Sequence, residues 1–303
     1  MSASTYQNQA RLLIDVLPMV AEASCFALHG GTAINLFVRD MPRLSVDIDL
    51  TYVPIEDRET TSTNIDIALR TIQRRVDIQM PNTRAVLNSE RAKLLISRQA
   101  AQIKVEVNTI MRGVLGEPIS MVLCQQAQEK FDRFAELRIV PIGQLYGGKI
   151  CAALDRQHPR DLFDVKYLFE NDGVTAEIKR GFLLCLLCSD RPIHEIIRPR
   201  LQDQRATLNN HFAGMTDKPF TYEMYEETRH NLIEQIVGAI DELDRRFLIS
   251  FAEGSPKWTD YGFTDFEPFP AIQWKLQNLL RLKSTNPAKH QKQLAELEGI
   301  LYD

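Results

Sequence analysis

Apolar positions in the first 140 residues repeat with two different periods. Leu12, Leu13, Val16, Leu17 and Val20 recur near helical spacing and predict a helix over residues 8–22, and Ile65, Leu69, Ile72 and Val76 form one stripe of a second over 63–76. Between them, Phe26 to Leu28 read as a short buried strand, Gly30 and Gly31 as a turn, and Thr32 to Arg39 as a short helix with Ala33, Leu36 and Phe37 on its inner side. A loop through Asp40, Pro42 and Arg43 then enters a strand in which Val46, Ile48 and Leu50 alternate with Asp47 and Asp49. Beyond Pro81 the pattern is short and strand-like in "RAVLN", "KLLIS", "IKVEVNTI" and "ISMVLC", as an antiparallel meander requires. From Gly143 helical spacing takes over, with helices predicted over 143–155, 161–170, 175–188, 228–248 and 290–302. The expectation is an α+β chain: a domain over 1–142 with an antiparallel or mixed sheet, and a mostly helical domain over 143–303.

The bulk composition agrees with that division. A chain of 303 residues, 44% hydrophobic and 25% charged, has material for one large core or two ordinary ones. The N-terminal stretch has no signal-peptide pattern and no segment reaches the ~18 apolar residues of a membrane span, so a cytoplasmic location is expected. Five cysteines, odd in number and set among apolar neighbours, suit buried thiols. Cys185 and Cys188 make a CxxC without a second pair or a nearby histidine, which reads as a core helix rather than zinc.

Charge sharpens the picture only locally. The net value of −4 gives no global case for nucleic acid, yet residues 70–104 carry eight basic against two acidic residues. From Pro268 to Ala295 there is no acid, while Lys275, Arg281, Lys283, Lys289 and Lys292 are present. Both runs are candidate phosphate-contacting surfaces.

The strand around residue 47 poses the chemical question. Two acids on one strand face repel each other, and their desolvation is unfavourable unless a cation or donors compensate; an edge strand facing water is the alternative. Such a pair suits Mg2+ or Mn2+, bound through one or two carboxylates together with substrate phosphates. Just upstream, the small residues Gly30 and Gly31 let backbone N–H groups approach a phosphate at a helix N-terminus, with the Thr32 hydroxyl as a further donor. Glu106, alternating with Val105 and Val107, can lie beside the aspartates on a neighbouring strand and accept a proton or hold a metal; pairing to Lys104 or Arg112 is its other reading. Lys149 lies in a helical pattern from which its ammonium can reach a phosphate, and Pro159 puts Asp161 and Asp164 in the first turn of the next helix. His29 and His158 fall into no ligand or triad pattern.

With these residues in view, "LHGGTAINLFVRDMPRLSVDIDL" resembles the first signature of the polymerase-β-like nucleotidyltransferases, in the form used by the abortive-infection toxins of the AbiEii/AbiGii group. Gly30, Gly31, Thr32, Arg43, Ser45, Asp47 and Asp49 occupy its positions. The second signature, a lysine followed about a dozen residues later by an R-D-x-x-D element, is similar to Lys149, Arg160, Asp161 and Asp164. The resemblance covers roughly residues 24–170. It implies a polymerase-β-like domain whose Asp47 and Asp49 bind the metal, a nucleotide site at Gly30, Gly31, Thr32, Arg43 and Ser45, Lys149 on the phosphates, and Asp161 as a further acid, the last two contributed from the helical domain. It also implies transfer of a nucleoside monophosphate from a nucleoside triphosphate to an acceptor, with the 3′ end of tRNA expected, in a toxin–antitoxin or phage-defence pair, with a cognate antitoxin as a candidate partner. A protein acceptor, metal-dependent nucleolysis and a non-catalytic interaction module are the alternatives.

Overall fold

The computed structural model describes residues 3–302. The chain divides into two compact units: residues up to Pro141 together with Arg205–Phe220, and Ile142–Gln204 together with the chain from Thr221 onward.

The first unit contains α1 (Ala3–Ala21), β1 (Phe26–His29), α2 (Gly30–Ala33), β2 (Asp47–Tyr52), α3 (Arg58–Gln79), β3 (Thr83–Asn88), β4 (Lys93–Arg98), β5 (Ala101–Asn108), β6 (Ile119–Val122), α4 (Gln125–Phe131) and β7 (Glu136–Ile139). Its seven strands form one sheet in the order β3-β4-β5-β2-β1-β7-β6. The meander expectation holds for β3, β4 and β5, which are antiparallel. The sheet as a whole is mixed, because β2 lies parallel to β5 and β1 parallel to β7. Period-2 patterning decides which face is covered: Ile48 and Leu50 of β2, Val105 of β5 and Leu94 and Ile96 of β4 are fully buried. So are Leu12, Leu13, Val16 and Leu17 of α1 and Leu69, Ile72 and Val76 of α3. Burial of each such side chain contributes roughly 1.5–3 kcal/mol. Asp57 caps α3, accepting from the amides of Glu59 and Thr60 at 2.9 Å, and Gln73 Nε2 donates to the Ala85 carbonyl on the edge strand β3 at 3.0 Å.

The glycine pair differs from its reading as a turn before a helix. Gly30 and Gly31 are themselves the first residues of α2, which continues into a widened π turn over Ile34–Val38. Neither β7 nor α4 was expected; "ELRI" offers too short an alternation to separate from the loops around it.

The second unit is helical: α5 (Ile142–Asp155), α6 (Pro159–Asn171), α7 (Ala176–Cys188) and α8 (Ile193–Ile197). A short α9 (Arg205–Thr207) belongs to the segment that returns to the first unit, after which α10 (Tyr222–Ala239), α11 (Glu242–Ala252), α12 (Pro270–Thr285) and α13 (Pro287–Tyr302) complete the chain. The single helix predicted over 228–248 is interrupted at Asp241, whose side chain accepts from Leu243 and Asp244 in a capping box that starts a new helix. Helices α5 and α7 cross in near backbone contact. A Cβ on Gly147 would lie 2.2 Å from the Gly181 carbonyl carbon, and one on Gly181 would lie 1.9 Å from the Gly143 carbonyl oxygen. Cys185 and Cys188 sit on α7, and all five cysteines are free. Among the described residues no helix is long and apolar enough to cross a membrane.

Candidate active site

Backbone conformation brings the first signature together. Gly30 has φ +73°, a region open to glycine, and a Cβ there would stand 2.6 Å from Asp49 Oδ2. A Cβ on Gly31 would stand 2.7 Å from a guanidinium nitrogen of Arg43. Both glycines are therefore needed for the helix start to lie against an acid from β2 and a base from the preceding loop. Thr32 is fully buried: its hydroxyl donates to the Asp47 carbonyl at 2.5 Å and meets the Ser45 hydroxyl at 2.9 Å. Ser45 and Arg43 are buried as well, and Arg43 Nη1 donates to the Leu44 carbonyl at 2.9 Å. Thr32 and Ser45 thus lock the helix start to β2, with half-buried Gly30, Gly31 and Asp49 beside it and the buried Arg43 guanidinium against Gly31.

Register then assembles a polar row on the sheet face opposite the core. His29 pairs with Asp49 on the neighbouring strand, Asp49 with Glu106, and Glu106 with Lys93, while Asp47 pairs with Lys104. Glu106 sits between two ammonium groups, Lys104 Nζ at 2.7 Å and Lys93 Nζ at 2.9 Å, and Lys104 Nζ is 3.9 Å from Asp47. Burial raises the Glu106 carboxyl, but the hydrogen bonds and charges of Lys104 and Lys93 outweigh it and hold it below its ordinary range. Burial works the other way on Lys104, and Glu106 and Asp47 overcome it, so that ammonium stays charged. His29 Nδ1 lies 3.0 Å from the Thr51 hydroxyl.

Among the described residues no three His, Cys, Asp or Glu side chains form a cluster able to hold a metal ion unaided. Asp47 and Asp49 are a two-carboxylate donor set on one strand face, with Asp49 packed against the glycine turn. That chemistry fits a hard divalent cation completing its shell with water and phosphate oxygens.

Lys149, Asp161 and Asp164 come together in the second unit. Lys149 Nζ lies 2.7 Å from Asp161 and 3.0 Å from Asp164, and all three are almost wholly buried. Arg156 adds a two-pronged contact to Asp161 at 2.6 and 3.0 Å. Burial raises the Asp161 carboxyl, yet Lys149 and Arg156 hold it well below the usual carboxylate range. His158 caps α6, accepting from the Arg160 amide at 3.1 Å, and the buried Gln157 receives Arg229 Nη1 at 3.0 Å while donating to the Arg200 carbonyl at 2.9 Å. Sequence reasoning did not single out Arg156 or Gln157, and it placed Lys93 in the basic run without its pairing to Glu106. Arg156 stands near the R-D element and was findable, whereas the pairing of Lys93 with Glu106 follows only from strand register.

Most of the charge in residues 70–104 is paired: Arg70 with Asp66, Arg75 with Glu22, Arg98 with Asp15, and Lys93 and Lys104 with Glu106. Arg74, Arg84 and Arg91 stand exposed. In the C-terminal basic run Lys275 leaves the candidate surface. It points inward and donates to the Leu186 and Arg191 carbonyls at 3.1 and 2.9 Å, and burial pulls its pKa down to about 8.

The fold is that of a nucleotidyltransferase toxin. The chain is similar to the MenT4 nucleotidyltransferase toxin of Mycobacterium tuberculosis at TM-score 0.60 and 13% identity, covering 92% of this chain and 94% of that one. No curated protein matches. Over residues 11–278 the sequence matches the family described as nucleotidyl transferase AbiEii toxin, type IV toxin–antitoxin system, and the chain belongs to that family. It is a nucleotidyltransferase toxin, with a nucleoside triphosphate as substrate and an antitoxin as the implied partner.

Proposed function

We propose that this toxin transfers a nucleoside monophosphate from a nucleoside triphosphate to the 3′ end of tRNA in the cytoplasm, blocking translation as part of phage defence. One observation supports the reading: a glycine-paired helix start lies directly against the Asp49 carboxylate, so backbone able to bind phosphate and an acid pair able to bind a cation would share one location. Asp47 and Asp49 would hold Mg2+, or Mn2+, against the triphosphate. The bound cation would neutralise phosphate charge and polarise the phosphoryl oxygen. The backbone of Gly30 and Gly31, with Arg43, would bind the phosphates, and Thr32 and Ser45 would keep that backbone in place.

The acceptor 3′-hydroxyl oxygen attacks the α-phosphorus, the bond from that phosphorus to the bridging oxygen breaks, and pyrophosphate leaves. Glu106 is the third acid on the same sheet face, and it takes the hydroxyl proton once the incoming phosphates draw Lys93 and Lys104 away from it. Lys149 would act on the triphosphate and Asp161 would set its orientation, a role supported by their 2.7 Å bond. Incubation with labelled triphosphates and purified tRNA tests this. Wild type should label tRNA in a Mg2+-dependent way and Asp49→Ala should not. Equal labelling by both overturns the assigned roles, label that survives ribonuclease points to a protein acceptor, and shortened RNA points to nucleolysis.

A further inference from the structure

The loop that carries Arg43 and Ser45 has no secondary structure of its own, so its shape must come from its neighbours. At its start, Asp40 accepts from the Gln126 amide at 2.9 Å. Its centre is held by a segment more than 170 residues away in sequence. The Leu44 amide donates to the Met215 carbonyl at 2.7 Å, and the Thr216 hydroxyl donates to the Pro42 carbonyl at 2.7 Å. Thr216 Oγ1 in turn accepts from the Lys218 amide at 3.0 Å. These bonds bracket Arg43 on both sides.

The holding segment is Arg205–Phe220, which departs from the helical unit at Gln204 and rejoins it at Thr221. It is fastened to the first unit by buried Leu208, Phe212 and Met215, and by Tyr6 Oη donating to the His211 carbonyl at 3.4 Å. Met215 is 1% exposed, so this is a packed strap and not a loose crossing. Nothing in the strap belongs to either signature.

We propose that Thr216, with the Met215 carbonyl, is a positioning residue of the nucleotide site: it sets the loop that holds Arg43 and Ser45 against Gly31 and Thr32. This rests on the phosphate-binding role given to Arg43 above. Removing the hydroxyl in Thr216→Val leaves the volume but releases the Pro42 carbonyl, a loss equivalent to about fivefold in an equilibrium. Because the loop binds phosphates in ground and transition state alike, the effect should fall on KM. The expected result is a KM for the triphosphate about fivefold higher with kcat within about twofold, and recovery in Thr216→Ser. Hydrogen exchange, measured without nucleotide, should show the Leu44 amide exchanging about fivefold faster in Thr216→Val. An unchanged KM, a loss confined to kcat, or unaltered Leu44 exchange overturns the proposal. If wild type transfers no label, the functional reading falls and Leu44 exchange alone decides the strap.

Discussion

Two clusters of lysines and carboxylates in this protein use similar residues in opposite ways. In the second unit, Lys149, Asp161 and Asp164 are 6%, 1% and 1% exposed and close on one another with Arg156 as a fourth member. In the first unit, Lys93, Lys104, Glu106 and Asp47 lie on a sheet face with side chains 25–36% exposed. Burial makes the first cluster depend on every partner, since an ion left alone inside a protein is heavily penalised. Partial solvation lets the second exchange partners, because water and mobile ions can take over either charge. The difference is one of solvent access: water reaches the charged groups of the sheet face, whereas those of the buried cluster fix one another in place.

A matched pair of substitutions breaks or sharpens that contrast most strongly. Lys149→Met should destabilise by about 3–5 kcal/mol, since two buried carboxylates lose their shared cation. Lys104→Met should change stability by less than about 1 kcal/mol. Urea midpoints measure both, and similar losses would erase the distinction. Next in size, Gly181→Ala should cost about 3 kcal/mol, because its Cβ meets backbone and not a movable side chain. Gly238→Ala, where nothing lies within 4 Å of the added atom, should be neutral or stabilising by the same measurement.

Acid provides a smaller test with a defined sign. The folded Asp161 carboxyl titrates below its unfolded value, so its contribution is fully present above the unfolded pKa near 4 and is lost as the pH falls below it toward the folded value. Between pH 5 and pH 2 the stability of wild type should therefore fall more steeply than that of Asp161→Asn, as followed by urea midpoints. Parallel curves would mean that the buried cluster contributes nothing specific. The smallest effect is expected for Glu106→Gln, a change within about 1 kcal/mol in stability, accompanied by a clear fall in label transfer.

Legibility followed the range of the interactions involved. The DxD strand and the helix stripes of α1 and α3 rest on periodicities within a few residues, and the structure carries each of them. Thr32 reads as a phosphate donor in sequence, but its hydroxyl faces β2 and serves the turn instead. Lys275 reads as a surface cation in an acid-free run, yet α12 turns it inward to the end of α7, because helical phase and not local charge decides which side faces the core. The break at Asp241 carried a signal, an acid with another acid three residues on, which the apolar stripe running through it obscured.

By itself the sequence determined the α+β class and the two motifs through which the chain resembles its family, because these depend on local spacing. Tertiary structure alone decided that β2 runs parallel to β5, that Glu106 lies between Lys93 and Lys104, and that a strap from residues 205–220 holds the Arg43 loop. The physical reason is that strand register and hydrogen bonds between distant segments are fixed by global packing, which leaves no periodic trace in the chain.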